Sequence, residues 1–235
     1  MNKHITFRST ATLAATAALA FGVSACGGDD EEASVGNGEE AAQTQQQTPS
    51  QPEPVAAIDD LDGQTTNVEL DPGFLEALES LEVTPGVVGD AELDEATLKF
   101  PITGGDVKYF EPGTVSPYVQ GEILHQGSGL SLTAGGKKVE LEDFNVDPGA
   151  SVLTGRVSVD GEVAADEAPL FFLDGSTLEP LRTTEDGRAV LEGTTVELKA
   201  EAAELLNETF GIEDLEEGLT IGVAKITLSG APQAP

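Results

Sequence analysis

The sequence predicts a mainly β domain, an antiparallel sandwich or barrel-like fold with two short helices, preceded by a signal peptide and a disordered stalk. Three observations predict it. From about residue 64 onward, Gly and Pro punctuate short runs of Val, Leu, Ile and Thr at fairly regular spacing, as in a chain of short strands joined by turns. Segments such as Lys138-Val-Glu-Leu-Glu alternate polar and apolar residues, as half-buried antiparallel strands do. Two segments replace that alternation with apolar residues at helical spacing.

The first element, residues 1–25, reads as a lipoprotein signal peptide. Lys3 and Arg8 precede an apolar run from Ala11 to Val23, with no acid among them. Such a run is short for a permanent membrane helix but suits a secretory signal. Val23-Ser24-Ala25-Cys26 then forms a lipobox, an aliphatic residue and two small ones before a cysteine that supplies the thiol for diacylglycerol. Cys26 is the chain's single cysteine, so no internal disulfide can form and its expected role is lipidation. Two acyl chains make a stable anchor where one is marginal. The expected location is the extracytoplasmic face of the cell membrane, with the membrane itself as a partner through the lipid.

Residues 26–63 are expected to be an acidic, disordered stalk. Gly27-Gly28-Asp29-Asp30-Glu31-Glu32 leads into Gln-, Thr-, Glu- and Pro-rich sequence with almost no large apolar residues. No core can form there to offset chain entropy. The whole chain carries 11 Lys+Arg against 43 Asp+Glu, and cleavage before Cys26 would remove Lys3 and Arg8 and no acid. A chain this acidic is repelled by nucleic acid, which excludes that partner class.

Residues 64–235 are long enough for one domain with a core. Strands are expected at 67–70, 97–102, 119–125, 130–134, 138–146, 152–159, 168–173, 189–192, 195–198 and 220–228. Gly104-Gly105 and Gly135-Gly136 read as turns, the second as a hairpin between two strands. The first helix opens at Asp71-Pro72, an N-cap and a first-turn proline, with Phe74, Leu75, Leu78 and Leu81 on one face. The second runs from Ala200 to Phe210, burying Ala202, Leu205, Leu206 and Phe210 and stopping at Gly211. Thr65-Thr66-Asn67-Val68-Glu69-Leu70 precedes the first helix and Thr194-Thr195-Val196-Glu197-Leu198 the second. This predicts a strand-helix-strand unit used twice, with the helices capping opposite ends of the domain.

No catalytic or metal motif is present in the sequence: no HExxH, no Cys/His zinc spacing, no phosphate loop, and no Gly-x-Ser-x-Gly elbow. No enzymatic role is expected. Without tryptophan and with 2 tyrosines, a carbohydrate-stacking platform has little support. One cluster stands out. Tyr109, Tyr118 and His125, the last being the one histidine after the signal peptide, fall close together. They are the candidate ligand-binding residues, since Tyr is a known axial ligand of ferric haem. Half-buried strand aromatics and a strand-terminal histidine would produce the same pattern.

Gly121-x-x-x-His125-x-Gly127-x-Gly-Leu130-x-Leu132, then Leu170-Phe171-x-Leu173-Asp174 and Val196-x-Leu198-x-x-x-Ala202-Ala203, resemble the HtaA domain. That β-rich actinobacterial surface module includes haem-uptake proteins. The resemblance implies haem as a candidate ligand and His125 as the matching histidine. It also implies a haem-ligating tyrosine near the start of the domain, in a Trp/Ser-Phe-Arg context that this chain lacks. Two functions follow: a non-catalytic envelope protein binding haem or another apolar ligand, or a structural or adhesive surface protein without a small ligand.

Overall fold

Thirteen strands form one antiparallel sheet, curled into a half-barrel, in a computed structural model that describes residues 52–61 and 64–228. The strands are β1 (Ala56–Ile58), β2 (Gln64–Leu70), β3 (Thr84–Gly89), β4 (Glu92–Asp94), β5 (Thr97–Ile102), β6 (Gly104–Tyr109) and β7 (Val119–Ala134). They continue as β8 (Lys137–Asp147), β9 (Val152–Val159), β10 (Glu162–Asp174), β11 (Arg182–Thr183), β12 (Ala189–Leu198) and β13 (Thr220–Leu228). Helices α1 (Pro72–Ser80) and α2 (Ala200–Phe210) complete it. The main path runs β1-β6-β7-β8-β9-β10-β12-β13-β2-β5-β4, with β3 added to β7 and β11 to β12. Cys26 and the signal peptide lie outside the described residues.

The mainly β reading holds, and several boundaries change. The expected domain start at 64 falls too late. Ala56–Ile58 pairs with β6 at the sheet edge, and Leu61 is 1% exposed. A few apolar residues in a polar stretch are enough once a partner strand is available. The expected break within 126–129 is a bulge inside the long strand β7, and the one near 193–194 lies inside β12.

Gly104-Gly105 is not a simple turn. It is the bend at which a chain paired with β2 through β5 swings over to pair with β7 through β6. The two strands of the β6–β7 pair approach so closely that a Cβ on Gly105 would lie 2.0 Å from the Glu122 carbonyl oxygen. A Cβ on Gly121 would lie 2.1 Å from that of Asp106. Both residues also have positive φ, 111° and 126°, a region that favours glycine. Gly135-Gly136 does form the expected two-residue hairpin, with both φ angles positive.

The β7 bulge sets which side chains point inward. Register passes from His125↔Phe144 to Gly129↔Glu142, so four steps on β7 face two on β8. Before the bulge Ile123 and His125 are buried, and after it Leu130 and Leu132. On β8, buried Val139 and Leu141 give way to buried Phe144 and Val146 across Asp143, whose φ is 53°. Each strand therefore changes phase at the same level. Asp143 ties the two irregularities together by accepting from the Gly127 amide at 2.8 Å and pairing with Arg156 at 2.7 Å.

The two expected strand-helix-strand units are adjacent but unequal: α2 leads directly to β13, whereas β3 and β4 intervene between α1 and β5, and β3 pairs with β7. β2 pairs β5 around α1, β12 pairs β13 around α2, and β13 pairs β2. Each unit closes on the same contact: the Leu70 amide donates to Ala96 O at 2.8 Å, and the Leu198 amide to Leu219 O at 2.9 Å. The helices do not cap opposite ends. β2 and β12 both run antiparallel to β13 and so point the same way, which places both helix starts at one end of the sheet.

Asp71 caps α1 by accepting from the amides of Gly73 and Phe74 at 2.7 and 3.3 Å. Phe74 and Leu78 are buried as expected, with Leu75 and Leu81 half-buried at the flanks of that face. α2 is rotated from the expected phase. Ala202, Ala203 and Leu206 are its buried residues, and Leu205 and Phe210 are half-buried against the core. Two small alanines let the helix approach the sheet closely and draw Leu206 to the centre.

Candidate functional site

The curl of the sheet leaves an apolar cavity of about 410 Å³ on its concave side. That volume lies within the range of ordinary small-molecule sites. Its deep wall includes Thr66 on β2, Phe100 on β5, Ile123 and His125 on β7, and Phe144 on β8. Exposed Ser116, Phe172 and Ser176 also line it and mark its opening. Ser116 precedes β7, Phe172 lies near the end of β10, and Ser176 follows that strand.

His125 is the polar centre of this wall. The bulge follows it immediately and holds its ring inward, where the residue is 2% exposed. Its Nε2 lies 2.8 Å from the Thr66 hydroxyl, which is itself buried. The ring packs edge-on against Phe100, with centroids 6.3 Å apart. Its Nδ1 is buried and has no hydrogen-bond partner of normal geometry. Removal from water pushes the imidazole down to about 4, opposed only in part by the backbone of Phe144. The ring is therefore neutral at physiological pH.

Of the candidate residues, Tyr118 and His125 line this cavity and Tyr109 does not. Tyr109 ends β6 in the core, 7% exposed, beside a separate crevice of about 10 Å³. The two phenol rings meet edge to face, with centroids 5.7 Å apart and planes at 86°. Burial, and secondarily the neighbouring Tyr109, raise the Tyr118 phenol above its usual value.

These residues do not fit a ferric-haem donor set. The His125 Nε2 is already engaged by Thr66. The strand near the start of the domain that faces His125 presents that threonine and no phenol. Sequence reasoning missed Thr66 because nothing in a run of strand residues marks one threonine out as a partner 59 positions away.

Among the described residues there is no group of three or more His, Cys, Asp or Glu side chains that could hold a metal ion. None of the described helices is long and apolar enough to cross a membrane.

No family model matches the sequence, and no curated protein matches it. Solved structures do match. The crystal structure of the C-terminal domain of HtaA from Corynebacterium glutamicum superposes with a TM-score of 0.50 at 12% identity, over 72% of this chain and 97% of that one. The domain-swapped dimer of the H434A variant of the same domain gives 0.43 at 15% identity, over 67% of this chain and 91% of that one. At these identities the likeness is one of fold, and the domain described here structurally resembles the C-terminal domain of HtaA.

Proposed function

We propose that this chain is a lipid-anchored, extracytoplasmic lipoprotein whose domain is a non-catalytic binding module for an apolar ligand. The observation that carries the binding role is the cavity of about 410 Å³, walled by Ile123, Phe100, Phe144 and their neighbours. A domain core of this size normally packs without such a void, and an apolar cavity with one convergent polar group is the usual form of a ligand site. The anchor reading rests on Lys3, Arg8, the apolar run and the lipobox before Cys26. The fold agrees with a binding module, since a fold hosts a site without dictating its ligand.

The test is titration of the full chain, carrying Cys26→Ser so that no attached acyl chain competes, with an environment-sensitive apolar fluorophore. Saturable uptake is expected. Ala224→Trp, which fills the cavity from β13, should abolish it with little change in melting temperature. Absence of saturable uptake, or uptake unaffected by that substitution, sinks the reading and favours a structural or adhesive surface protein. Haemin, the ligand implied by the sequence resemblance, is titrated beside the fluorophore.

A further inference from the structure

We propose that the cavity takes an uncharged, largely hydrocarbon molecule and rejects anionic amphiphiles. This rests on the ligand-binding reading above and names the ligand class.

Two observations carry it. Among the described residues lining the cavity there is no lysine or arginine. A carboxylate or propionate entering it would lose its water and meet no cation. The one lining carboxylate, Asp174, is at the mouth and would repel an anion there. Ser176 holds that carboxyl ionised, below its usual range, through its amide and then its side chain. Second, the chain's formal charge of -32 puts a repulsive field around any approaching anion.

The experiment compares decanol, decane, decanoate and haemin on the full chain with Cys26→Ser, read by calorimetry at pH 8. Decanol should bind. Decane should bind as well, decanoate about tenfold or more weaker than decanol, and haemin not at all. Equal or tighter binding of decanoate or haemin overturns the neutral-ligand inference and leaves the binding reading standing. If none of the four probes binds, both readings fall.

Discussion

The imidazole Nε2 of His125 and the hydroxyl of Thr66 lie 2.8 Å apart, joining β7 to β2, strands that share no ladder. β5 stands beside this link. Phe100 pairs with Thr66 in the ladder and lays its ring against His125. The pair fixes the deep wall of the cavity and is its most polar contact.

Stability should therefore depend on His125 titration. Its pKa is 6.5 ordinarily and about 4 in the fold. Above 6.5 the ring is neutral in both states and there is no penalty. Between 6.5 and 4 the unfolded chain takes up a proton that the folded chain refuses, so stability falls as pH drops, and the loss levels off below about 4. The gap corresponds to about 3 kcal/mol. The groups found against the ring, Thr66, Phe100 and the Phe144 backbone, carry no charge. Urea denaturation across this range should show a loss that His125→Gln removes. Parallel curves for the two proteins would refute the burial of a neutral ring.

Thr66→Val keeps the shape and deletes the partner of Nε2. Leaving a buried nitrogen unsatisfied should cost about 1–3 kcal/mol. A melting temperature equal to that of the unsubstituted chain would show that Nε2 finds another partner.

Leu78→Ala and Leu206→Ala should each cost roughly 2–5 kcal/mol, since both side chains are buried under their helices. Leu205→Ala should cost less, and Glu76→Ala and Glu204→Ala almost nothing, because Leu205 is half-buried and the two glutamates are exposed. The ranking of Leu206 against Leu205 checks the phase of α2. A larger loss at Leu205 would contradict it.

Gly105→Ala and Gly121→Ala should each destabilise by about 1–3 kcal/mol or more, from a strained φ together with a backbone clash. Gly113→Ala is the control, with φ of 91° and nothing within 4 Å of the added carbon. Thermal melts of the three variants should place Gly113→Ala clearly apart from the other two.

Cys26→Ala should abolish lipidation and release the chain from the membrane fraction. Fractionation with mass analysis of the mature N-terminus checks it. Normal processing and membrane retention would mean that the chain is held in another way.

The strands legible in sequence were those with strong alternation or apolar runs, such as β8, β9 and β13. Those that escaped are short pieces whose pairing is supplied by a partner: Glu92-Leu93-Asp94 is exposed throughout, and Thr84-Pro85-Gly86 opens β3 with two strand-breaking residues. Gly104-Gly105 showed that the chain bends there, but not that it resumes as a strand. Tyr118 and His125 were found as neighbours in sequence. The cavity was not, because its lining reads like any other core pattern, and Thr66 and His125 meet only through the closure made by β5 and β6.

The paired phase changes on β7 and β8 also restrict how the gene can change length. His125 and Leu130 both face inward across an odd separation of five, which a regular strand cannot achieve. Deleting Gln126 would leave four, a separation at which plain alternation keeps both inward. Deleting Asp143 would do the same for Leu141 and Phe144 on β8. The two deletions differ in what they do to the mismatch between the strands, four steps on β7 against two on β8. Loss of Gln126 shrinks that excess, whereas loss of Asp143 widens it and removes the carboxylate that holds the Gly127 amide. A scan of single-codon deletions through this hairpin should therefore tolerate the shortened β7 and reject the shortened β8.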